Sequence, residues 1–387
     1  MQSYPARAVV DLDAIAANTA ALVEHAGGTP VMAVVKADAY GHGAVPCARA
    51  ALRGGAQWLG VAQLSEALAL RVAGITAPVL TWLFAPGDDL GPAIAADVDL
   101  SVAAPWALDA VLQGAAAAGR PARIHLKVDT GLGRGGSAAR DWPQLVKLAA
   151  AAQADGIVEV VGIWSHYAFA DAPSHPTVRA QNAALEEAVE VAASFGVKPA
   201  LRHLANSAAT LTDPSARFDL VRPGLAVYGL SPVPQIGDPA HFGLRPAMTL
   251  TAKLVLVKDV DAGQGVSYGH TYTTSRPTTL GLVPLGYADG IPRHASNRGP
   301  VLVAGQRLQI AGRVCMDQFV LDLGGAEAVA GDEIVLFGPG DDGEPTAEDW
   351  ARAADTISYE IVTRLGARVP RVYVGEGAEE LALGGTA

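Results

Sequence analysis

Short apolar runs alternate with alanine-rich helical stretches over the first two-thirds of the chain, and this rhythm constrains the fold more than any other feature. An opening strand at 6–12 leads into a helix that Asp13 can cap and that Gly27-Gly28 can end. Apolar runs then fall at 31–35, 58–62, 78–83, 98–103, 123–129, 160–167, 201–206 and 218–223. Helix-like segments lie between them, among them 63–73, 107–118, 143–154 and 178–195. Strand–helix alternation gives parallel strands with helical crossovers, and eight such strands after a βα lead-in point to a closed barrel. An open doubly wound sheet is the alternative, but no strand–GxGxxG–helix unit supports it. With 387 residues, half of them hydrophobic, the chain can bury a large core and form two domains.

The texture changes near residue 235. Ser231-Pro232-Val233-Pro234 and Gly237-Asp238-Pro239 make a proline-rich joint. Beyond it, strand patterns at 248–258, 279–285, 300–303, 307–323, 333–337 and 368–374 are punctuated by Gly and Pro. One helix is expected at 347–365, with Thr346 and Asp349 spaced as a capping box. The fold class is therefore α/β: a (β/α)8 TIM barrel over 1–235, followed by a mostly-β domain over 236–387.

A net charge of -11 argues against nucleic acid and anionic membrane as partners. Cys47 and Cys315 are the only cysteines, far apart and not in a metal-like spacing, so no disulfide framework and no metal site are expected. Arg7, Asp11 and Asp13 interrupt any apolar signal core, and no uncharged run reaches membrane-spanning length. A cytoplasmic location is the expectation.

Polar residues collect where the barrel strands end: Lys36, then Lys127 and Asp129, His166, Asn206 with Ser207, and Arg222. In a closed barrel those ends share one rim, where loops assemble active sites. Lys36 closes a buried strand, so desolvation would lower its pKa and make it a usable nucleophile or base; the bland alternative is a lysine marking where the strand meets water. Asn206-Ser207 and Pro223-Gly224-Leu225 supply backbone N–H groups and a hydroxyl for a phosphate, though Asn206-Ser207 alone also suits an ordinary helix cap. A lysine and a phosphate site on one rim suggest a phosphorylated aldehyde held as a Schiff base, which describes pyridoxal 5'-phosphate.

An ordered series of motifs then resembles the alanine racemase family along nearly the whole chain. It begins with Ala33-Val34-Val35-Lys36-Ala37-Asp38-Ala39-Tyr40-Gly41-His42-Gly43, similar to the family's cofactor-lysine signature. Lys127-Val128-Asp129-Thr130-Gly131-Leu132-Gly133-Arg134 follows, then Ser165-His166-Tyr167 with Asp171, and His203-Leu204-Ala205-Asn206-Ser207. Arg222-Pro223-Gly224, Ser267-Tyr268-Gly269, Gly286-Tyr287-Ala288-Asp289-Gly290 and Cys315-Met316-Asp317 complete it.

The resemblance implies racemisation of L- and D-alanine for peptidoglycan precursors by two bases on opposite faces of the α-carbon. Lys36 would hold pyridoxal phosphate and act on one face, and Tyr268 from a partner subunit on the other. A tyrosine needs neighbouring positive charge to act as a base at pH 7, which the family draws from His166 and Arg134. Without the resemblance, Tyr268 reads as a β-domain core or turn residue. Arg222 would face the cofactor's pyridine nitrogen and leave it unprotonated, because arginine does not surrender its proton at neutral pH; pairing with Asp219 or another carboxylate is the alternative. Tyr40, Ser207, Gly224, Leu225 and Tyr359 would hold the phosphate, with Asn206 beside them. Arg134 and the Met316 backbone would take the substrate carboxylate. Lys127 resembles a position that is carbamylated and fixes Arg134. Tyr268, Tyr287, Tyr359, Asp171, Arg293 and Arg313 would line a narrow entryway suited to a methyl side chain. Arg222 in place of a glutamate, with Tyr268, argues against a barrel decarboxylase, and the β domain argues against a non-enzymatic cofactor-binding barrel. A broad-specificity racemase is the nearest rival, usually exported.

Overall fold

The protein is described by a computed structural model over residues 5–379. It divides into two compact units, one of residues 15–39 and 44–244, the other of 5–14, 40–43 and 245–379.

The first strand, β1 (Ala6–Asp11), belongs to the second unit. In the first unit, β2 (Met32–Val34), β3 (Trp58–Gln63), β4 (Val79–Leu83), β5 (Val98–Val102), β6 (Ala122–Lys127), β7 (Val158–Trp164) and β8 (Leu201–His203) form one parallel seven-stranded sheet in sequence order. Every residue of β2 and β5 is buried, as expected of strands covered on both faces. The expected eighth strand, 218–223, is a strap and not a regular strand. Val221 donates its N–H to the Pro30 carbonyl (3.0 Å), and the Val221 and Pro223 carbonyls accept from Met32 (2.8 Å) and Val34 (2.9 Å). On the strap's other side, Asp219 donates to the Arg202 carbonyl (3.0 Å) and Arg222 to the Ala205 carbonyl (2.9 Å). Thus the ring closes, but Phe218 at φ +47° and a proline without an N–H keep the pairing irregular.

The outer helices lie at Leu64–Val72, Pro105–Ala118, Trp142–Ala154 and Pro176–Ser194, close to the expected segments. Three of them carry proline in the first turn, where a missing N–H does no harm. A five-residue helix at Gly91–Ala95 is too short to leave a periodic signal.

The remaining strands are β9 (Met248–Lys253), β10 (Leu256–Val260), β11 (Gly265–Val266), β12 (Tyr272–Thr273), β13 (Thr278–Val283), β14 (Pro300–Val303), β15 (Gln306–Gln309), β16 (Phe319–Asp322), β17 (Glu333–Phe337) and β18 (Arg371–Val374). They make a six-stranded sheet ordered β15-β14-β17-β9-β1-β18, a three-stranded sheet β10-β13-β16 and the ribbon β11-β12. β1 pairs antiparallel with β9 and parallel with β18, so opposite ends of the chain share one sheet. Two expected long strands are broken. The run 248–258 splits into β9 and β10, in different sheets, and 307–323 splits around a loop carrying Arg313, Cys315, Met316 and Asp317. The expected helix 347–365 is also two, Ala347–Ala353 and Ser358–Thr363, separated where Asp355 takes φ +52°. Its capping box is formed: Asp349 donates its N–H to Thr346 Oγ1 (3.2 Å) and Thr346 donates its N–H to Asp349 Oδ2 (2.9 Å). Among the described residues no helix is long and apolar enough to cross a membrane.

Candidate active site

The end of β2 is fixed from three sides. Tyr228 Oη donates to the Val34 carbonyl (2.9 Å), Val34 donates to Pro223, and Val35 donates to the Gly60 carbonyl (2.8 Å). Lys36 follows at once, and the helical turn it opens, Lys36–Gly41, is left-handed. φ is +53° at Ala37 and Asp38 and +54° at Ala39 and Tyr40. Such backbone costs about 1–2 kcal/mol per L-residue, and strain of this kind clusters at functional sites. Hydrogen bonds hold it: Ala37 N–H to Glu66 Oε1 (2.6 Å), Ala44 N–H to Asp38 Oδ1 (2.8 Å) and Ala39 N–H to the Val35 carbonyl (2.9 Å). Burial, and then the Arg134 charge, push the Lys36 pKa down, while Glu66 partly opposes them. Its ammonium lies 5.9 Å from the centre of the Trp82 ring.

Lys127 ends β6 with its amine 4.3 Å above the Trp164 ring. Burial first, then Arg222 and Arg134, lower its pKa to about 8. The following loop is folded around Asp129, whose Oδ1 accepts the N–H groups of Gly131 (2.9 Å), Leu132 (3.0 Å) and Gly133 (3.2 Å). Ser137 returns to β6 through its N–H to the Lys127 carbonyl (2.8 Å), and Arg134, on the loop between, is exposed.

Arg222 is 4% exposed. It donates to His203 Nδ1 (3.0 Å), the Ser165 carbonyl (2.9 Å), the Leu204 carbonyl (3.3 Å) and, more weakly, His166 Nδ1 (3.4 Å), and it stacks 4.8 Å over Trp164. None of these acceptors is a carboxylate. Asp219, the alternative partner, is held by Arg202 at 2.7 Å. Burial lowers the Arg222 pKa to about 9, still cationic at neutral pH. His166 is pushed well below its ordinary value by burial and by Arg222. Burial thus disfavours the charged imidazole, and the cation it meets is the Arg222 guanidinium at its Nδ1.

Asn206 caps the helix Ser207–Thr212, its Oδ1 accepting from Ala209 N–H (3.1 Å). Ser207 Oγ accepts the N–H groups of Gly224 (2.8 Å) and Ala226 (3.2 Å). Those bonds use the hydroxyl as an acceptor and leave its O–H to donate elsewhere. Leu225 is buried directly after Gly224. Asp171 is exposed, and its carbonyl accepts from Gln235 (2.7 Å).

The second unit gathers the other candidates. Tyr40 and Tyr359 have ring centroids 6.1 Å apart, and burial pushes the Tyr40 phenol up. Ser267, at φ +61°, donates through Oγ to the Arg313 carbonyl (2.7 Å) and presents Tyr268, 72% exposed. A Cβ on Gly269 would stand 3.2 Å from the Arg313 guanidinium. Tyr287 and Ala288 donate their N–H groups to the Cys315 and Met316 carbonyls (3.0 Å each). A Cβ on Gly286 would lie 2.3 Å from the Met316 oxygen, so only glycine permits that approach. Arg293 joins through its carbonyl, which accepts from Ser296 Oγ (2.6 Å), and Ser296 Oγ in turn accepts from Val314 N–H (3.0 Å).

Comparison with known proteins finds two family models along the chain. The family described as "Alanine racemase, N-terminal domain" matches residues 10–232, and "Alanine racemase, C-terminal domain" matches 247–373. The chain belongs to the alanine racemase family. An alanine racemase from Frankia casuarinae is 63% identical over 367 residues, covering 95% of this chain and 96% of that protein. The one from Streptomyces coelicolor is 60% identical, covering 96% of each. Among solved structures, the alanine racemase of D-cycloserine-producing Streptomyces lavendulae superposes with a TM-score of 0.96 at 59% identity, covering 97% of this chain and 98% of that one. The Bacillus anthracis enzyme with bound L-Ala-P gives 0.89 at 37%, covering 97% of both.

The alanine racemase motifs thus divide between units, with Lys36, Lys127, Arg134, His166, Asn206, Ser207, Arg222, Gly224, Leu225 and Asp171 in one. Tyr40, Tyr268, Tyr287, Arg293, Arg313, Met316 and Tyr359 lie in the other. Sequence reasoning missed Glu66, Trp164, His125 and Asp99, which touch the candidates or continue from them. Glu66 stands three residues after Gln63, a capping spacing, and Arg123, His125 and Lys127 recur with the period of a strand, signals a closer reading could use.

Proposed function

We propose that this chain is a pyridoxal 5'-phosphate-dependent alanine racemase that interconverts L- and D-alanine by a two-base mechanism, as a cytoplasmic homodimer supplying D-alanine for peptidoglycan. The observation that carries it is a lysine of lowered pKa on the same barrel rim as a buried arginine whose acceptors are all neutral. The residues fit the cofactor's three chemistries: the Lys36 amine suits its aldehyde, Arg222 its pyridine nitrogen, and the Ser207 hydroxyl with the Gly224-Leu225 turn its phosphate. Asn206, His166, Tyr40 and Tyr359 complete the holding set. Bound there, pyridoxal phosphate draws electrons from the α-carbon and makes its proton acidic.

The chain's own residues then decide the outcome. Lys36 takes or returns the proton on one face, and Tyr268 of the partner subunit on the other. Tyr268 is well exposed in the single chain, which suits donation to a second copy. Arg222 would face the pyridine nitrogen as a hydrogen-bond donor that keeps its own proton. His166, accepting from Arg222 at Nδ1, carries its proton on Nε2 and can donate to a phenolate. Arg134 and the Met316 backbone orient the substrate carboxylate. Tyr268, Tyr287, Asp171, Arg293 and Arg313 restrict entry to a small side chain.

Two variants test this. Lys36→Ala is expected to lose the visible absorbance of bound cofactor and all racemisation in a chiral assay of alanine. Tyr268→Phe should keep the absorbance and lose about 10²–10⁴-fold in turnover, with deuterium exchange from L-alanine slowed more than from D-alanine. Undiminished turnover in Tyr268→Phe would remove it as a base.

A further inference from the structure

Behind Arg222 a chain of buried polar groups runs down the inside of the barrel. Arg222 meets His203 Nδ1 at 3.0 Å, His203 Nε2 meets His125 Nδ1 at 2.8 Å, and His125 Nε2 meets Asp99 Oδ2 at 3.1 Å. Arg123 closes it, donating from Nε to Asp99 Oδ1 at 2.9 Å. His203 and His125 are wholly buried, and Asp99 is 1% exposed. Residues of two strands, β7 and β3, shape the space around them. Gly162 lies opposite His125 in the pairing of β6 with β7, and a Cβ there would stand 2.4 Å from His125 Nδ1. Trp164 stacks on His203 with centroids 5.6 Å apart, and Trp58 meets His125 edge-on at 5.7 Å.

The donors and acceptors in this chain allow one arrangement. A guanidinium only donates, so His203 Nδ1 must accept and its proton sits on Nε2. That proton requires a bare Nδ1 on His125, which puts the His125 proton on Nε2, facing a carboxylate that only accepts. Both rings are neutral, and the order runs one way from Arg222 to Asp99.

We propose that Asp99 and His125 are positioning residues for Arg222: by accepting in turn at the far end, they fix His203 as the tautomer whose bare Nδ1 holds the guanidinium at the rim. This rests on the reading of Arg222 as the group that faces the pyridine nitrogen. Without an acceptor at His125, His203 is free to carry its proton on Nδ1, where it would oppose an Arg222 N–H. A buried guanidinium would then lose an acceptor and shift toward its remaining carbonyls.

The test reads tautomers directly, by two-bond 1H–15N correlation of the full chain labelled at histidine, with His203 and His125 assigned through substitution. The parent should show both rings protonated at Nε2 and bare at Nδ1. His125→Leu should turn His203 into a mixture of tautomers and lower kcat about 10–100-fold, the range seen for outer partners of ligating side chains, with KM for alanine little changed. His125→Asn places an amide oxygen near the former Nδ1 and should restore the His203 tautomer and part of kcat. Asp99→Leu should mix the His125 tautomers in the same way. A parent spectrum with His203 protonated at Nδ1 overturns the proposal, whether or not the variants fold. So does a folded His125→Leu with tautomer and kcat unmoved. Loss of the racemase reading would appear separately, as a parent without cofactor absorbance or racemisation but with the tautomers as stated.

Discussion

The amine of Lys127 sits among Arg222, Arg134 and Lys36, and a pKa of about 8 leaves about a tenth of it neutral at pH 7. A neutral amine is the form that adds carbon dioxide, and a carbamate there would exchange a fourth cation for an anion facing Arg134. We expect a carbamate signal from protein equilibrated with 13C-bicarbonate near pH 8, lost in Lys127→Ala, and a fall in turnover of roughly tenfold in that variant. The unmodified lysine gives a pH signature with a definite sign. Its folded pKa lies below the ordinary 10.5, so the unfolded chain binds more protons between pH 8 and 10.5 and stability rises with pH across that window. In bicarbonate-free buffer that rise should be smaller in Lys127→Ala, measured by thermal unfolding from pH 8 to 10.

At the scale of elements, the turn after β2 reverses the usual rule for alanine and glycine. In a right-handed helix interior Ala→Gly destabilises by about 1 kcal/mol. Ala37 stands at φ +53° with an exposed side chain, where glycine has no Cβ penalty. Ala37→Gly is therefore expected to leave thermal stability unchanged or to raise it, by up to about 1 kcal/mol; a clear fall in Tm would show that this strain is not stored at Ala37. The same turn explains a limit of sequence reading. Lys36 stands out because it ends an apolar run, but the left-handed path that follows depends on Glu66, Asp38 and Val35 holding it, contacts that no local pattern encodes.

For the whole molecule, the proposed pairing of Lys36 with the partner's Tyr268 predicts complementation. Lys36→Ala and Tyr268→Phe chains, each nearly inactive alone, would form mixed dimers with one fully native site. Random assembly makes about half the dimers mixed, each with one of two sites intact, so about a quarter of parental activity should return. Mixing purified variants after reversible dissociation and assaying alanine checks this, and no recovery would place both bases on one chain. The exposed Met316, at 54%, belongs with Tyr268 on the face this predicts to be covered.

From the residue order alone came the eight-fold alternation, the polar residues at strand ends and the ordered family motifs, because buried parallel strands and amphipathic helices are written in local periodicity. Tertiary structure decided what long-range pairing controls. It joined β1 to β18 across the length of the chain, made the last barrel segment a strap, and broke the 248–258, 307–323 and 347–365 runs at bends that local pattern could not locate. It also turned His203 and His125 from motif and strand residues into a directed chain behind Arg222. A histidine's tautomer is set by what its two nitrogens meet, and those partners lie on other strands.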